Sequence, residues 1–386
     1  MKQHLDSLRK KINETDKKIV KLFEERLNTV SKIAALKKQN NLKVFDPERE
    51  KEVIKRAASY LNENSLEKYL TPFMDEMMTQ SRQYQIDLIG SPGTVTGENR
   101  KFKIKDDSVI GYLGVSGSYS EEAASLYFGD NCKKRSFGHF DEIVSSILKG
   151  EIDIGVLPVE NSSTGTISKV MDLIGSNDVY ITGEHISKIS HNLLVLPGTK
   201  LTDIKEVYSH HQGLEQSIKY LKQYPWELIE YKSTADSARL VQKLQDKTKA
   251  AVASRRCVEI YGLEIAVPDI NFENNYTRFV MTGWEMIIDE NCNKISVVMD
   301  IAHKPGALYK VLRLFKDRNI NLLKIESRPI IGKPWEYLFY FDFEGNLAED
   351  RVKDLIEYLR NSSGIFKLLG NYPAFSGKAL AQQTGM

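Results

Sequence analysis

The sequence is poor in the features that mark exported, membrane-bound and nucleic-acid-binding proteins. Its 386 residues include three cysteines, an odd number with no C-x-x-C pair, so we expect neither a disulfide framework nor a metal site. No run approaches the ~20 apolar residues that a membrane span needs, and the start, MKQHLDSLRKK, lacks the apolar core of a signal peptide. Basic and acidic residues nearly balance, at 54 and 52, which disfavours a nucleic-acid surface. These shortages predict a soluble cytoplasmic protein.

Proline and glycine are also missing from residues 5–39, where apolar residues recur at helical spacing. We predict one continuous helix there, roughly 50 Å long at ~1.5 Å per residue. A helix of that length cannot bury its apolar row inside a small monomer, so a partner helix or a second chain is implied. Two more helices are predicted near 47–62 and 65–88, and the Gly- and Thr-rich segment 91–106 is predicted to be a linker.

Charged and polar side chains interrupt the apolar faces of these helices. A series with a seven-residue period runs along the first helix: Leu5, Ile12, Ile19, Arg26 and Ile33. Lys37 follows Arg26 by eleven positions and points within ~20° of it, whereas Arg9 lies ~80–100° away around the helix. Ser81 and Gln85 fall four apart on the apolar row of the third helix.

These polar groups have two explanations. The cations could extend from the edge of the apolar row into water, or form ion pairs between helices. Alternatively, they bind a ligand, because burying a charge costs several kcal/mol unless it is paired, and few carboxylates share that face. A small molecule with two carboxylates is the favoured source of the missing negative charge.

The helical part, residues 1–90, resembles the all-helical chorismate mutase family in the motifs LRKKINETDKKIVKLFEER, KKQNNLKVFDPERE and TQSRQYQ. The resemblance implies three helices per chain that intertwine in a homodimer. It also implies a substrate site in which the carboxylates bind Arg26, Arg49 and Arg9 of the neighbouring chain, the ether oxygen binds Lys37 and Gln85, and Asp46, Glu50 and Ser81 complete the pocket. A Claisen-type rearrangement needs positioning and cations, and no nucleophile, metal or cofactor.

Residues 107–285 contain short apolar runs separated by helical segments, which predicts an α/β domain with a largely parallel sheet. Polar loops follow several runs, where open α/β sheets bind small ligands: GYLGVSGSYSEEAA, PVENSSTGT, YSHHQGLEQ and STADSA. Capping of the following helix is an alternative for each loop. The glycines do not fit G-x-G-x-x-G, so a nucleotide site is disfavoured. In NNYTRFVM, Thr277 and Phe279 face one side of a strand and Arg278 the other.

These loops and the T-R-F triplet resemble the prephenate dehydratase family, which has two α/β lobes around a cleft, as in periplasmic binding proteins. The resemblance ties Thr277 most closely to catalysis and makes Ser118 and Arg278 candidates for binding a carboxylate. It places seven further residues along the cleft: Glu160, Asn161, Ser162, Thr164, Ser209, His210 and Gln212. The reaction expels ring hydroxide and carbon dioxide as the ring becomes aromatic, so it needs a proton donor for the hydroxyl and no cofactor. Glu160 or a neighbour could supply that proton.

Residues 293–374 show the order βαββαβ of a ferredoxin-like sandwich. A helix start at PGAL offers free N–H groups to a carboxylate, although a capping turn and a surface ion pair would explain this segment and ESRP equally well. The part resembles an ACT domain, in which two such motifs bind phenylalanine between paired chains. Here they comprise Pro305, Gly306, Ala307 and Leu308, and Glu326, Ser327, Arg328 and Pro329. The tail at 375–386 is expected to be disordered.

In this order, the three parts resemble the bifunctional family that joins a chorismate mutase to a prephenate dehydratase. The resemblance implies that chorismate becomes prephenate at the first site and that prephenate becomes phenylpyruvate at the second. Phenylalanine would act as an allosteric inhibitor through the last domain. Two alternatives are a non-catalytic amino-acid sensor with a helical dimeriser, and an enzyme with one active and one decayed site.

Overall fold

The computed structural model describes most of the chain, at residues 2–40, 47–89, 107–330, 332–333 and 335–375. It divides into two compact units, Met1–Thr96 and Gly97–Met386. Asp46, the predicted linker at 91–106 and all but the first residue of the predicted tail lie outside the described residues. Of the helices in the described ranges, none is long and apolar enough to cross a membrane.

The described part of the first unit is helical. Its elements are α1 (Lys2–Gln39), α2 (Pro47–Ala58), a 3-10 turn (Asn64–Leu66) and α3 (Glu67–Ile89). The prediction of one long helix followed by two shorter ones is confirmed, and both α1 and α2 pack against α3. Among the side chains of α1 itself, Val30 and Ala34 alone are buried. Its apolar row is largely exposed, at Leu5, Leu8, Ile12, Ile19 and Ile33.

The second unit begins with an α/β lobe, which we call the first lobe. Its elements are β1 (Val109–Leu113), α4 (Tyr119–Phe128), β2 (Lys133–Phe137), α5 (Phe140–Leu148), β3 (Ile154–Asn161), β4 (Gly165–Thr166), α6 (Ser168–Ser176) and β5 (Tyr180–Lys188). A second lobe follows, with β6 (Asn192–Val195), β7 (Glu206–Ser209), α7 (His211–Leu221), β8 (Glu227–Glu230), α8 (Thr234–Leu244), β9 (Lys249–Ala253), α9 (Arg256–Tyr261) and β10 (Glu264–Val267). The chain then returns to the first lobe as β11 (Tyr276–Gly283).

The two lobes have mixed sheets, so the prediction of a largely parallel sheet was only partly right. In the first lobe β1 is parallel to β2 and β3, but the returning strand β11 inserts antiparallel between β3 and β5. In the second lobe β7 is parallel to β8 and β9, whereas β6 is antiparallel to β9 and β10. The antiparallel pairs arise where the chain crosses between lobes, which a local reading of apolar runs does not reveal.

The C-terminal domain has the predicted order βαββαβ. Its elements are β12 (Lys294–Asp300), α10 (Ala307–Asp317), β13 (Leu322–Pro329), β14 (Tyr337–Glu344), α11 (Asp350–Ser362) and β15 (Phe366–Tyr372). The sheet order is β13-β14-β12-β15, with antiparallel neighbours. This domain therefore forms the ferredoxin-like sandwich that the sequence predicts.

The C-terminal sheet continues directly into the sheet of the first lobe. β15 lies parallel to β5 and pairs with it at Gly370 and Ile181. A Cβ atom at Gly370 would lie 2.3 Å from the Ile181 carbonyl oxygen, so this close approach requires glycine. A single apolar core also spans the junction, because Val298 and Leu369 pack with the buried side chains of the first lobe. The first lobe and the C-terminal domain thus share one sheet and one core.

Candidate active sites

The first candidate site lies between α1 and α3, where Arg26 meets Ser81. The Arg26 guanidinium Nη1 donates to Ser81 Oγ at 2.7 Å, and Ser81 is buried. One turn later the Gln85 amide donates to the Ser81 carbonyl oxygen at 3.4 Å, while its buried Oε1 atom has no partner among the described residues. Burial lowers the pKa of Arg26, and within the described ranges no carboxylate forms an ion pair with it. Arg26 therefore contacts Ser81 directly, and Gln85 contacts the backbone of Ser81.

Other predicted mutase residues lie elsewhere on the three helices. Arg9 pairs with Asp6 at 3.5 Å on the exposed surface of α1, and its seventeen-residue separation from Arg26 is about 25 Å along a helix. Arg49 is exposed and pairs with Glu52 at 3.1 Å. Lys37 is half-buried on α1. Within one chain, these cations do not all converge on Arg26.

Glu50 has a partner that the sequence reasoning missed. Its carboxylate accepts a hydrogen bond from Arg82, which follows Ser81 on α3. Arg82 also donates to Thr79 Oγ1 at 3.0 Å. The motif TQSRQYQ includes this arginine, but helical periodicity singles out the polar residues on the apolar row, and Arg82 is not on that row. The Glu50–Arg82 ion pair joins α2 to α3 beside the candidate site.

The second candidate site is centred on Thr277, which is buried on β11. It pairs across the sheet with Asn161, the last residue of β3. The Asn161 amide Nδ2 donates to Thr277 Oγ1 at 2.9 Å and to Asn275 Oδ1 at 2.8 Å. Asn161 Oδ1 in turn accepts from the Ser163 backbone N–H at 3.0 Å. These contacts fix the orientation of the Asn161 amide and, through it, the Thr277 hydroxyl.

Gln216 connects this cluster to the second lobe. On α7, its Oε1 atom accepts from Asn275 Nδ2 at 2.9 Å, and its Nε2 atom donates to Ser163 Oγ at 2.9 Å. Gln212, one turn earlier, donates to Thr164 Oγ1 at 3.1 Å. Both glutamines therefore bridge from α7 to the loop after β3. The predicted loops PVENSSTGT and YSHHQGLEQ do meet.

His191 extends the same network at the crossing between lobes. Its Nε2 atom lies 2.9 Å from Gln216 Oε1, and its Nδ1 atom lies 2.8 Å from the Tyr119 hydroxyl. Burial lowers the pKa of His191 to about 4, so the ring is neutral at pH 7. The sequence reasoning missed His191, Gln216 and Asn275. The last two stand inside quoted motifs, but a lone histidine outside any motif carried no signal.

Several side chains that were predicted to line the cleft form hydrogen bonds with backbone groups. Ser118 caps α4 by accepting from the Glu121 N–H, and His210 caps α7 by accepting from the Gln212 N–H. Ser209 is fully buried and donates to the Val252 carbonyl oxygen at 2.7 Å. Capping, the alternative stated for these loops, therefore describes Ser118 and His210 well. Ser162 accepts from the Tyr276 N–H at 2.9 Å and tethers its loop to β11.

Arg278 and Glu160 do not face the cluster around Thr277. The Arg278 guanidinium donates to Glu184 and Asp342, both at 2.7 Å, and Glu160 pairs with Lys324 at 3.0 Å. Burial lowers the pKa of Arg278, but its partners together, the Asp342 carboxylate foremost, outweigh burial and hold that pKa well above its usual value. The predictions that Arg278 binds a substrate carboxylate and that Glu160 lines the cleft do not fit this arrangement, because both side chains lie on the opposite face of the sheet.

The predicted effector motifs occupy two parts of the C-terminal domain. Pro305, Gly306 and Leu308 are exposed at the start of α10, where Gly306 has a left-handed φ of 77°. In the ESRP segment, successive side chains alternate along β13: Ser327 and Pro329 are exposed, while Glu326 and Arg328 face the first lobe. Arg328 donates to Asp172 at 2.9 Å, and Glu326 accepts from Thr166.

Comparisons with known proteins agree with this division. The family description chorismate mutase type II matches residues 8–86, prephenate dehydratase matches 110–286, and ACT domain matches 295–361. The bifunctional chorismate mutase/prephenate dehydratase of Buchnera aphidicola (Acyrthosiphon pisum) is 34% identical over 95% of both chains. That of Aquifex aeolicus is 32% identical over 99% of this chain and 100% of its own.

A solved structure also resembles much of this chain. The Arthrobacter aurescens prephenate dehydratase in complex with L-Phe has 26% identity and a TM-score of 0.63, and the match covers 72% of this chain and 97% of that one. The full-length similarity above, with the three family matches in the order that the sequence predicts, confirms the resemblance seen in the sequence. This chain belongs to the family of bifunctional chorismate mutase/prephenate dehydratases.

Proposed function

We propose that this chain converts chorismate to prephenate at the Arg26 site and prephenate to phenylpyruvate at the Thr277 site. For the first reaction, the strongest support is Arg26 itself, a half-buried cation held by Ser81 with no carboxylate partner among the described residues. A substrate carboxylate would supply the missing charge. We expect Gln85, with its amide beside Ser81, to contact the substrate as well. The rearrangement then requires a folded substrate conformation, which such contacts select.

For the second reaction, the support is the direction of the hydrogen bonds at Thr277. Its oxygen accepts from Asn161, so its own hydrogen is free to donate to the hydroxyl that leaves the substrate ring. The departing hydroxide takes up a proton as the C–O bond breaks, the C–CO₂⁻ bond supplies its electron pair to the ring, and carbon dioxide leaves. Thr277 orients the leaving group. With Glu160 on the opposite face, the proton comes from another source.

We further infer that phenylalanine inhibits the dehydratase through the C-terminal domain. PGAL lies at the start of α10, where free N–H groups suit a carboxylate, and ESRP lies on β13, the outer strand of the sheet. Phenylalanine binding there would favour a less active arrangement of the chain. A homodimer, with Arg9 completing the neighbouring site, accounts for the exposed apolar row of α1. We also propose a cytoplasmic location.

A coupled assay on the full chain tests these proposals together. Chorismate loss and phenylpyruvate formation are followed spectroscopically, with and without phenylalanine. Both signals are expected, and phenylalanine should suppress phenylpyruvate formation. Accumulation of prephenate without added phenylalanine would contradict the role of Thr277, and no loss of chorismate would contradict the role of Arg26.

A further inference from the structure

Two charged residues lie directly behind the Thr277 cluster. Along β11 and β3, Thr277 pairs with Asn161 and Arg278 pairs with Glu160. Because successive side chains of a strand point to opposite faces, the first pair faces the lobe junction and the second pair faces the C-terminal domain. Thr277 and Asn161 thus each have a charged chain neighbour, Arg278 and Glu160, that contacts the C-terminal domain.

Arg278 is held mainly by the C-terminal domain. Nη1 donates to Asp342 on β14 at 2.7 Å, and Nη2 donates to the Tyr372 hydroxyl on β15 at 2.9 Å. Nε donates to Glu184 of the first lobe, whose carboxylate also pairs with Lys294 of β12 at 2.8 Å. The acceptors of Arg278 are all buried. Because Arg278 is largely buried and bound to several partners there, a movement of the C-terminal strands would move its side chain.

Glu160 is held by the strand that carries ESRP. Its carboxylate pairs with Lys324 of β13 at 3.0 Å, and Lys324 also donates to Thr166 of β4 at 2.7 Å. Glu326, the first residue of ESRP, lies 3.1 Å from Lys324. Lys324 therefore connects the predicted effector segment to the strand that ends at Asn161.

The pairing of the strands is irregular next to these residues. The pairing of β11 with β3 shifts register between Arg278 and Phe279, so the Thr277–Asn161 and Arg278–Glu160 pairs lie beyond an irregularity in the ladder. Such bulges occur beside active sites, where they set the direction of a side chain. Side-chain contacts behind the sheet can therefore influence where Thr277 and Asn161 point.

We propose that Arg278 and Glu160 are positioning residues, through which strands β13 and β14 of the C-terminal domain set the placement of Thr277 and Asn161. The inference rests on the proposed dehydratase function. Displacement of β13 or β14 by an effector would pull on Lys324 or Asp342. Because Arg278 and Glu160 adjoin Thr277 and Asn161 in the chain, the movement would misalign the Thr277 hydroxyl and the Asn161 amide. The proposed link consists of two ion pairs, Arg278 with Asp342 and Glu160 with Lys324, on the paired strands β11 and β3.

Lys324→Gln tests the link without altering the site, and Lys324→Arg retains its charge. Lys333→Gln is the matched control, because Lys333 belongs to an exposed ion pair with Glu336 in the same domain. We expect Lys324→Gln to lower the dehydratase kcat by about tenfold or more, since small misplacements of reacting groups are costly, with KM nearly unchanged. Its residual activity should respond weakly to phenylalanine while calorimetry still detects phenylalanine binding. Lys324→Arg should restore both properties, and Lys333→Gln should match the wild type.

The outcomes separate positioning from general destabilisation. Mutase activity in the same chain and the thermal unfolding midpoint report the folded fraction. If kcat falls only in proportion to that fraction and inhibition of the remainder is unchanged, the inference is wrong. It is equally wrong if Lys324→Gln keeps the wild-type kcat and inhibition. If the wild-type chain has no dehydratase activity, the proposed function is wrong. If the wild-type chain is active but insensitive to phenylalanine, the proposed feedback is wrong, and the kcat of Lys324→Gln still tests the positioning role.

Discussion

At the scale of single residues, the Thr277 hydroxyl has the clearest chemical assignment. It accepts from Asn161, so it can donate to a leaving hydroxyl. Thr277→Val keeps the shape and removes that donor. We expect it to reduce the dehydratase kcat by about 10²-fold, the lower end for loss of a positioned proton-handling group, whereas Thr277→Ser should retain most activity. Steady-state kinetics with prephenate measures both variants.

A control for Thr277 exists on the same strand. Thr282 is also buried on β11, but its hydroxyl donates to the Gly155 carbonyl oxygen at 3.0 Å, away from the candidate site. Thr282→Val should lower stability and leave the kcat of the folded enzyme unchanged. Equal loss of kcat in the two valine variants would show that Thr277 acts through stability alone.

His191 makes stability depend on pH. Its pKa is about 4 in the folded chain, against 6.5 for a histidine in the unfolded chain, because burial disfavours the charged ring. As pH falls below 6.5 the unfolded chain binds a proton that the folded chain does not. The free energy of unfolding should therefore be highest above pH 6.5 and fall by about 3 kcal/mol from this group as pH approaches 4.

Urea unfolding at pH 7 and pH 5 measures this dependence. His191→Asn should be less sensitive to the change than the wild type, whereas His303→Asn, at an exposed position, should behave like the wild type. The prediction fails if His191→Asn loses as much stability as the wild type on acidification.

At the scale of elements, the junction of β15 with β5 joins the C-terminal domain to the first lobe. Gly370→Ala would place a methyl group 2.3 Å from the Ile181 carbonyl oxygen, so the two strands must separate. We expect a loss of about 1–3 kcal/mol in stability, as for other overpacked positions. Gly138→Ala is the control, because its nearest neighbour, the flexible end of Glu142, lies 3.6 Å from the added Cβ. Thermal unfolding compares the variants, and equal midpoints would contradict the prediction.

At the scale of the whole molecule, the mutase prediction requires two chains at each site. If Arg9 comes from the neighbouring chain, Arg9→Ala and Arg26→Ala should each abolish chorismate turnover alone. Their mixed dimers contain one site with both substitutions and one intact site. After denaturation and refolding together, an equal mixture should recover about a quarter of the wild-type mutase activity, since half of the dimers are mixed in random pairing of a two-fold assembly.

The mixing experiment has a built-in control. Arg26→Ala refolded with wild-type chain reports any general effect of refolding on activity. No recovery in the Arg9→Ala and Arg26→Ala mixture, despite exchange of chains shown by differently tagged subunits, would mean that both arginines serve the same chain or that Arg9 has another role.

Local sequence patterns determined much of this protein. The helical spacing of apolar residues and the absence of proline and glycine from 5–39 predicted helix α1. The order of strands and helices in the C-terminal domain followed from periodicity, because both kinds of element depend on the spacing of apolar residues within a short stretch of chain. The alternation of side chains along a strand was also enough to place Thr277 and Arg278 on opposite faces of the sheet. The proximity of Arg26 to Ser81 required only that two apolar rows pack together.

Tertiary structure alone decided what lies behind and beside those residues. The sequence does not show that β11 returns between β3 and β5, and this return brings Asn161, Thr277 and Gln216 into one network. Nor does it show that Arg278 donates to Asp342, 64 positions away. The carboxylate that binds Arg278 in the structure therefore belongs to the protein, whereas the resemblance implied a carboxylate of the substrate. Spacing along the chain predicts which face a side chain takes, whereas its partner across that face depends on which distant strands the fold places there.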